Sequence, residues 1–233
     1  MVKNGAMTSS DSRIRILDAA VELIARDGYD GVRLAEIARR ARSSTALIHY
    51  HFATRTQLLA AAIAHSLDRE HARSAHLAED VGRTSPPERV ADLVDFWLPL
   101  TPDDVREWML WSELESRAVR SSDLANALTS LYARMREPFS EAVRDGVASG
   151  DFGPCDPDEA AAMAHALLGG LAVRLLARDP VLTVPAAREL AGRHVALAVG
   201  YPGTLPFTDR DVPEHVPDPG IEPAPPRRRA TRA

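Results

Sequence analysis

Apolar side chains recur at intervals of three and four along most of the chain, the spacing that gathers them on one face of an α-helix. From about Asp11, Ile14, Leu17, Val21 and Ile24, with Ala20 between them, predict a first helix that Gly28 ends. Tyr29 and Val32 are expected to pack beneath the next pair. Leu34, Ile37 and Ala38 mark a short second helix, 33–40, that leaves Arg33, Glu36, Arg39 and Arg40 outside. After a turn at 41–43, Leu47 and Ile48 mark a short third helix, 44–50, with Ser43 or Ser44 available as N-cap. Ser44, Thr45, His49 and Tyr50 then face outward, and Phe52 anchors the following turn. A long helix starts near Thr54, carries Leu58, Leu59, Ile63 and Leu67, and runs towards Glu79.

The TSPPER stretch resets the pattern, with a proline at the first turn of a fifth helix. Its buried stripe is Val90, Leu93, Val94 and Trp97, and Pro99 stops it. Thr101, Pro102, Asp103 and Asp104 are the cap, first position and acidic first turn of a sixth helix. That helix has a broad apolar face of Val105, Trp108, Met109, Trp111 and Leu114. Leu124, Leu128, Leu131, Met135, Phe139 and Val143 trace a seventh helix, 122–149, in which Pro138 should produce a kink. Two helices rich in Ala, Gly and Leu follow. From Pro202 the composition turns proline-rich with few apolar anchors, which reads as a disordered or extended tail. Its arginines at 227–229 are either a solvated terminus or a DNA contact.

Composition fits this pattern. Of 233 residues, 45% are hydrophobic and 26% charged, and helix formers fill nearly every segment, so the expected fold class is all-α with about nine helices. A single cysteine, Cys155, excludes an intrachain disulfide framework. The N-terminus lacks the apolar core of a signal peptide, and no apolar run approaches the roughly 18 residues of a membrane span. The expected location is the cytoplasm, with no membrane partner. The net charge of −5 is unevenly divided: residues 1–60 hold nine Lys/Arg against six Asp/Glu, a net of +3, which leaves −8 for the remainder. A basic small domain on an acidic larger one suits a protein that meets phosphates at one end only.

Catalytic signatures are missing from the sequence. It has no HExxH, Gly-rich phosphate loop, nucleophile elbow or cysteine pair. His49 and His51 are two positions apart and do not share a helix face; local packing or capping is the alternative for both. No enzyme activity, metal or cofactor is therefore expected.

Two short helices joined by a tight turn, 33–50, form the helix-turn-helix pattern, whose second helix enters the major groove of DNA. Together, RILDAAVELIARDGYDGV, LAEIARRA, STALIHYHF and the cation and LL early in the fourth helix resemble the TetR family of bacterial transcriptional regulators. The match covers residues 12–62. The Trp-rich sixth helix, the segment SSDLANAL…YARMREPFSEAVRDGVASGDF and the Ala/Leu eighth helix resemble the BetI-like C-terminal branch. Two positions depart from the family. Arg42 stands where Gly is usual in the turn, and Arg33 stands where Ser or Thr often caps the second helix.

The resemblance implies a dimer in which two N-terminal domains bind an inverted-repeat operator in double-stranded DNA and a C-terminal helical domain binds a small effector. Residues 1–10 would be a disordered tail, 11–53 the DNA-binding domain, 54–201 the effector-binding and dimerisation domain (54–80 the connecting helix), and 202–233 a disordered tail. Arg42, Ser44 and Thr45 are candidates near bases, His49, Tyr50 and Arg55 for the backbone, and Arg33 of the second helix is a further candidate. Trp97, Trp108, Met109, Trp111, Glu113, Glu115, Met135, Phe139, Met163 and His165 are candidate effector contacts, with plain core as the alternative for the aromatics. Ala166, Leu167, Gly169, Gly170, Leu171, Arg174, Leu190, His194 and Leu197, with Leu168, Ala172 and Leu175, are candidates for the dimer interface. An intrachain core would suit the same composition. The expected function is a repressor released by an apolar or aromatic effector, with an activator or protein-responsive regulator of the same fold as the alternative.

Overall fold

Among the residues that the computed structural model describes (9–28, 31–80 and 85–220), the helical periodicity becomes nine helices and no strand. They are α1 (Ser9–Asp27), α2 (Leu34–Arg40), α3 (Thr45–His51), α4 (Arg55–Asp80), α5 (Pro86–Phe96), α6 (Pro102–Ala118), α7 (Ser122–Ser149), α8 (Pro157–Leu176) and α9 (Val184–Ala198). The expectations for residues 1–8, for Tyr29, for the restart around Gly82 and for the arginines at 227–229 lie outside the described residues, as does that for the side chain of Leu67. Two compact units emerge, one holding the chain up to Ser66 and the other Leu67–Pro219, with the division inside α4.

In the first unit α1 packs on α2 and α3. Gly28, at φ +69, takes the left-handed conformation that ends α1, and its N–H bonds the Ile24 carbonyl at 2.9 Å. The buried stripe of α1 is Ile16, Leu17, Ala20, Leu23 and Ile24. Ile14 and Val21, expected inside, are instead exposed and half-buried. The helix is rotated about one position from the expected phase, because Ile16 and Leu23 bury more apolar area than that pair. Ile37, Ala38, Ile48, Phe52, Leu58, Leu59 and Ile63 complete this core.

In the second unit α7 lies against α5, α6 and α8, and α8 also meets α6 and α9. The whole expected stripe of α7 is buried, and the helix runs without interruption through Pro138. Ser85 and Thr101 form capping boxes with Glu88 and Asp104, which fix the starts of α5 and α6. The expectation that no segment could span a membrane needs correction. The 20 residues of α8 are long and apolar enough by length and composition alone. Here that helix packs Ala160, Ala161, Ala164, Leu168, Leu171, Ala172 and Leu175 into the core, as a central helix of a bundle does.

Residues 202–219 have no regular secondary structure, yet they are not a loose tail. Leu205 is buried, Phe207 lies beneath the Arg188 guanidinium, and the Val184 N–H donates to the Glu214 carbonyl at 3.1 Å. This strap runs extended over α5 and α9. The disordered half of the expectation fails for these residues because two apolar anchors and a set of polar ties hold them.

Candidate functional site

The turn between α2 and α3 has a defined hydrogen-bond pattern. The Ser43 N–H donates to the Ala38 carbonyl at 2.8 Å, and the Arg42 N–H to the Arg39 carbonyl at 3.2 Å. These are the two bonds of a Schellman cap, which requires a left-handed residue between them. Arg42 is that residue, at φ +51. Ser44 caps α3, its hydroxyl accepting the Leu47 N–H at 3.1 Å. A bond of this kind contributes about 1 kcal/mol, and it commits the Ser44 oxygen to the helix start. Ile48 is buried and Leu47 half-buried, so α3 presents Thr45, Ala46, His49 and Tyr50 outward, with Tyr50 77% exposed. His51 turns back to Ser12 at 3.2 Å, in keeping with a packing role.

Internal pairing sorts the cations of this unit. Arg40 makes a two-bond pair with Glu22 at 2.9 and 2.7 Å, and Arg26 bonds Asp27 and Glu36. Arg15 donates to the Ala41 carbonyl. The Arg55 guanidinium, expected on the DNA backbone, donates to the Val32 carbonyl at 3.0 Å and ties the start of α4 to the loop before α2. Among the described residues no partner is found for the side chains of Arg33, Arg39 and Arg42, and all three are exposed. Arg39 was not among the candidates. The signal for it lay in the pairing of its neighbour Arg40, which a sequence does not display.

The second unit gathers a different chemistry. The rings of Trp97 and His165 meet edge to face at a centroid separation of 4.6 Å, Tyr132 and His165 at 4.9 Å, and Trp111 stacks on Tyr132 at 6.0 Å. His165 thus occupies the space between Trp97 and Tyr132. The Tyr132 hydroxyl donates to the Glu115 carboxylate at 2.7 Å. Burial, and then the hydrogen bond to Glu115 and its negative charge, push the Tyr132 hydroxyl well above the ordinary phenol range. Burial, and then the Arg136 guanidinium, push His165 down to about 4, so its ring is neutral at pH 7.

Of the expected effector residues, this box collects Trp97, Trp111, Glu115 and His165 from α5, α6 and α8, and adds Tyr132 of α7. Met135 and Phe139 are buried along α7, and Met163 is half-buried. Glu113 is engaged by Arg117 at 2.6 Å. The Trp108 ring lies beside Gly169 instead, and Met109 is exposed. Tyr132 carries no signal of this role in the sequence, because it flanks the apolar stripe of α7 and its ring partners depend on how α6 and α8 pack there.

The expected dimer residues fall into two groups. Leu168, Leu171, Ala172 and Leu175 are buried within the chain, and Leu167 and Gly169 are half-buried. Ala166, Gly170 and Arg174 of α8 and His194 and Leu197 of α9 are exposed, Leu197 by 71%, with Leu190 half-buried beside them, and Val173 of α8, which was not expected there, is exposed too. Arg174 pairs with Asp179 at 2.5 Å, and His194 bonds its own helix at the Leu190 carbonyl.

Comparison with known proteins matches both units. Residues 16–62 match the model of bacterial regulatory proteins of the tetR family, and residues 86–200 that of the BetI-type transcriptional repressor C-terminal domain. The HTH-type transcriptional regulator BetI of Rhizobium meliloti (strain 1021) is 29% identical over 189 residues, 78% of this chain and 87% of that protein. A TetR-family transcriptional regulator from Rhodococcus sp. superposes with a TM-score of 0.72 at 28% identity, covering 82% of this chain and 99% of that one. A transcriptional regulator from Saccharomonospora viridis, crystallised with choline, gives a TM-score of 0.66 at 29% identity and covers 80% and 96%.

Proposed function

The chain belongs to the TetR family of bacterial regulatory proteins and is a DNA-binding transcriptional regulator, a premise from which we propose that it is a dimeric repressor of an inverted-repeat operator, released by a small organic cation. Residues 11–53 would read DNA, and 54–201 would bind the effector and the second protomer, in the cytoplasm. Two recognition helices in a two-fold dimer stand about one helical turn apart, about 34–36 Å, and so call for two half-sites. Thr45, His49 and Tyr50 of α3 and the unpaired Arg33, Arg39 and Arg42 supply the contacts. Arg55 and Ser44, already bonded within the chain, act by holding the helices in place.

The observation that carries the effector reading is the box of Trp97, Trp111, Tyr132 and His165 with the Glu115 carboxylate at its edge. Aromatic faces attract a cation with greasy substituents, an interaction worth about 2 kcal/mol or more when desolvated. Choline, a quaternary ammonium ion, is the ligand of the similar S. viridis regulator, and it is the natural probe. Because His165 fills the space between Trp97 and Tyr132, its ring must turn aside for a ligand to enter.

A gel shift on fragments selected from random DNA tests this reading. An inverted repeat should emerge, and choline should release it. Equal affinity for a half-site and for random duplex would remove the operator reading. A complex indifferent to choline and to other small ammonium ions would remove the effector reading.

A further inference from the structure

The strap is fixed to the chain at a few points, among them the Val184 N–H on the Glu214 carbonyl and Arg106 on the Pro219 carbonyl, and two of them meet at Arg188 of α9. Helix α5 presents Asp92 and Asp95, one turn apart, towards α9 and the strap. The Asp95 side chain is only 1% exposed, and a buried carboxylate without partners is very costly. Arg188 answers it with two bonds of 2.6 and 2.9 Å, and Arg210 of the strap adds its Nε at 3.3 Å. The same Arg188 guanidinium donates to the Thr208 carbonyl at 3.1 Å and lies 4.2 Å above the Phe207 ring. The Thr208 hydroxyl in turn donates to Asp92 at 3.3 Å. Phe207 fits only because position 192 is glycine, since a Cβ there would come within 2.6–2.7 Å of two ring carbons.

The opposite face of that last turn of α5 belongs to the aromatic box. Trp97, the C-cap of α5, is two positions beyond Asp95, and such residues point to different sides of a helix. Asp95 faces the strap while Trp97 meets His165. The strap is not packed along its length. A cavity of about 320 Å³ lies between it and α9, lined among others by Leu205, Phe207, Val212 and Arg193. A second, of about 230 Å³, lies beside His215, Val216 and Leu182. Attachment at points, with space beneath, is the construction of a part that can lift.

Resting on the effector reading above, we propose that residues 203–219 form a latch. By holding Asp92 through the Thr208 hydroxyl and Asp95 through Arg210, beside the Arg188 pair that α9 supplies, the strap steadies the last turn of α5, and with it the Trp97 wall of the box, in the closed position. Closing a binding site lowers apparent affinity by the fraction of molecules that are open. The strap therefore sets how much effector is needed.

Gly192→Ala tests this, because alanine favours helix α9 over glycine while its Cβ evicts the Phe207 ring and so releases that anchor of the strap alone. Phe207→Ala releases the latch from the other side. In both variants amide hydrogen exchange should quicken at 203–216 and also at 94–98. Choline, measured by calorimetry, should bind about fivefold tighter or more. A merely structural strap would leave affinity unchanged or weaken it. Exchange that quickens in the strap but not at 94–98 overturns the latch, as does quicker exchange at both with no gain in choline affinity. Should the wild type ignore choline, the effector reading fails, and exchange at 94–98 alone decides whether the strap clamps α5.

Discussion

Arg42 occupies a left-handed backbone position that glycine fills without strain, at a cost of about 1 kcal/mol for any residue with a Cβ. Its guanidinium lies just before the α3 cap and bonds nothing among the described residues. Arg42→Gly should therefore raise thermal stability slightly and lower operator affinity. A stabilised variant with unchanged affinity would make Arg42 a tolerated substitution and no more. His165 gives a pH prediction. Its folded pKa, about 4, lies below the ordinary histidine value of 6.5, so the unfolded chain binds more protons between those values. Stability should then rise with pH through that window and be lost as pH falls towards 4. His165→Phe should flatten this limb of a urea-midpoint-against-pH curve, and an unaltered curve would show that the ring is not buried as described.

At the scale of the element, legibility followed the length and regularity of the pattern. The stripe of α7 was readable because six apolar residues repeat at helical spacing with nothing to compete, whereas α1 offered two overlapping stripes and Ile14 was assigned to the wrong one. The helix-turn-helix was readable down to Arg42 at a usual glycine position, and the structure adds that this residue is left-handed, at φ +51. The pairing of Arg40 with Glu22, which leaves Arg39 as the unpaired cation, depends on the approach of α2 to α1 and has no local signal. The strap was hidden for a similar reason. Proline-rich composition records a lack of apolar residues, but Leu205 and Phe207 suffice when Gly192 and Arg188 have prepared a seat. For α8 and α9, the composition showed an apolar pair of helices but not which side faces the chain. The structure leaves Val173 and Leu197 outside, which selects the test. Leu197→Glu places a charge on the exposed face without touching the core. If the regulator is the proposed dimer, it should shift light scattering from dimer towards monomer at micromolar concentration and reduce operator affinity in step. A dimer that persists would move the interface elsewhere.

For the whole molecule, the uneven charge decides how it meets DNA. The first 60 residues carry +3 and the remainder −8, so attraction to phosphates favours contact by the first unit, and added salt should weaken that preference. The three unpaired arginines of each protomer bring six cations to an operator if the regulator is a dimer. Each phosphate contact contributes about −0.9 to the slope of log affinity against log salt, which predicts a slope of about −5. Arg39→Ala removes one contact per protomer and should flatten the slope by about 2, whereas Arg40→Ala, which breaks a pair with Glu22, should leave it nearly unchanged. The two variants differ by one position along α2 and remove the same charge, so net charge cannot explain a difference between them. Equal slopes for both would mean that internal pairing does not sort the arginines of this domain into those that hold the fold and those that hold DNA.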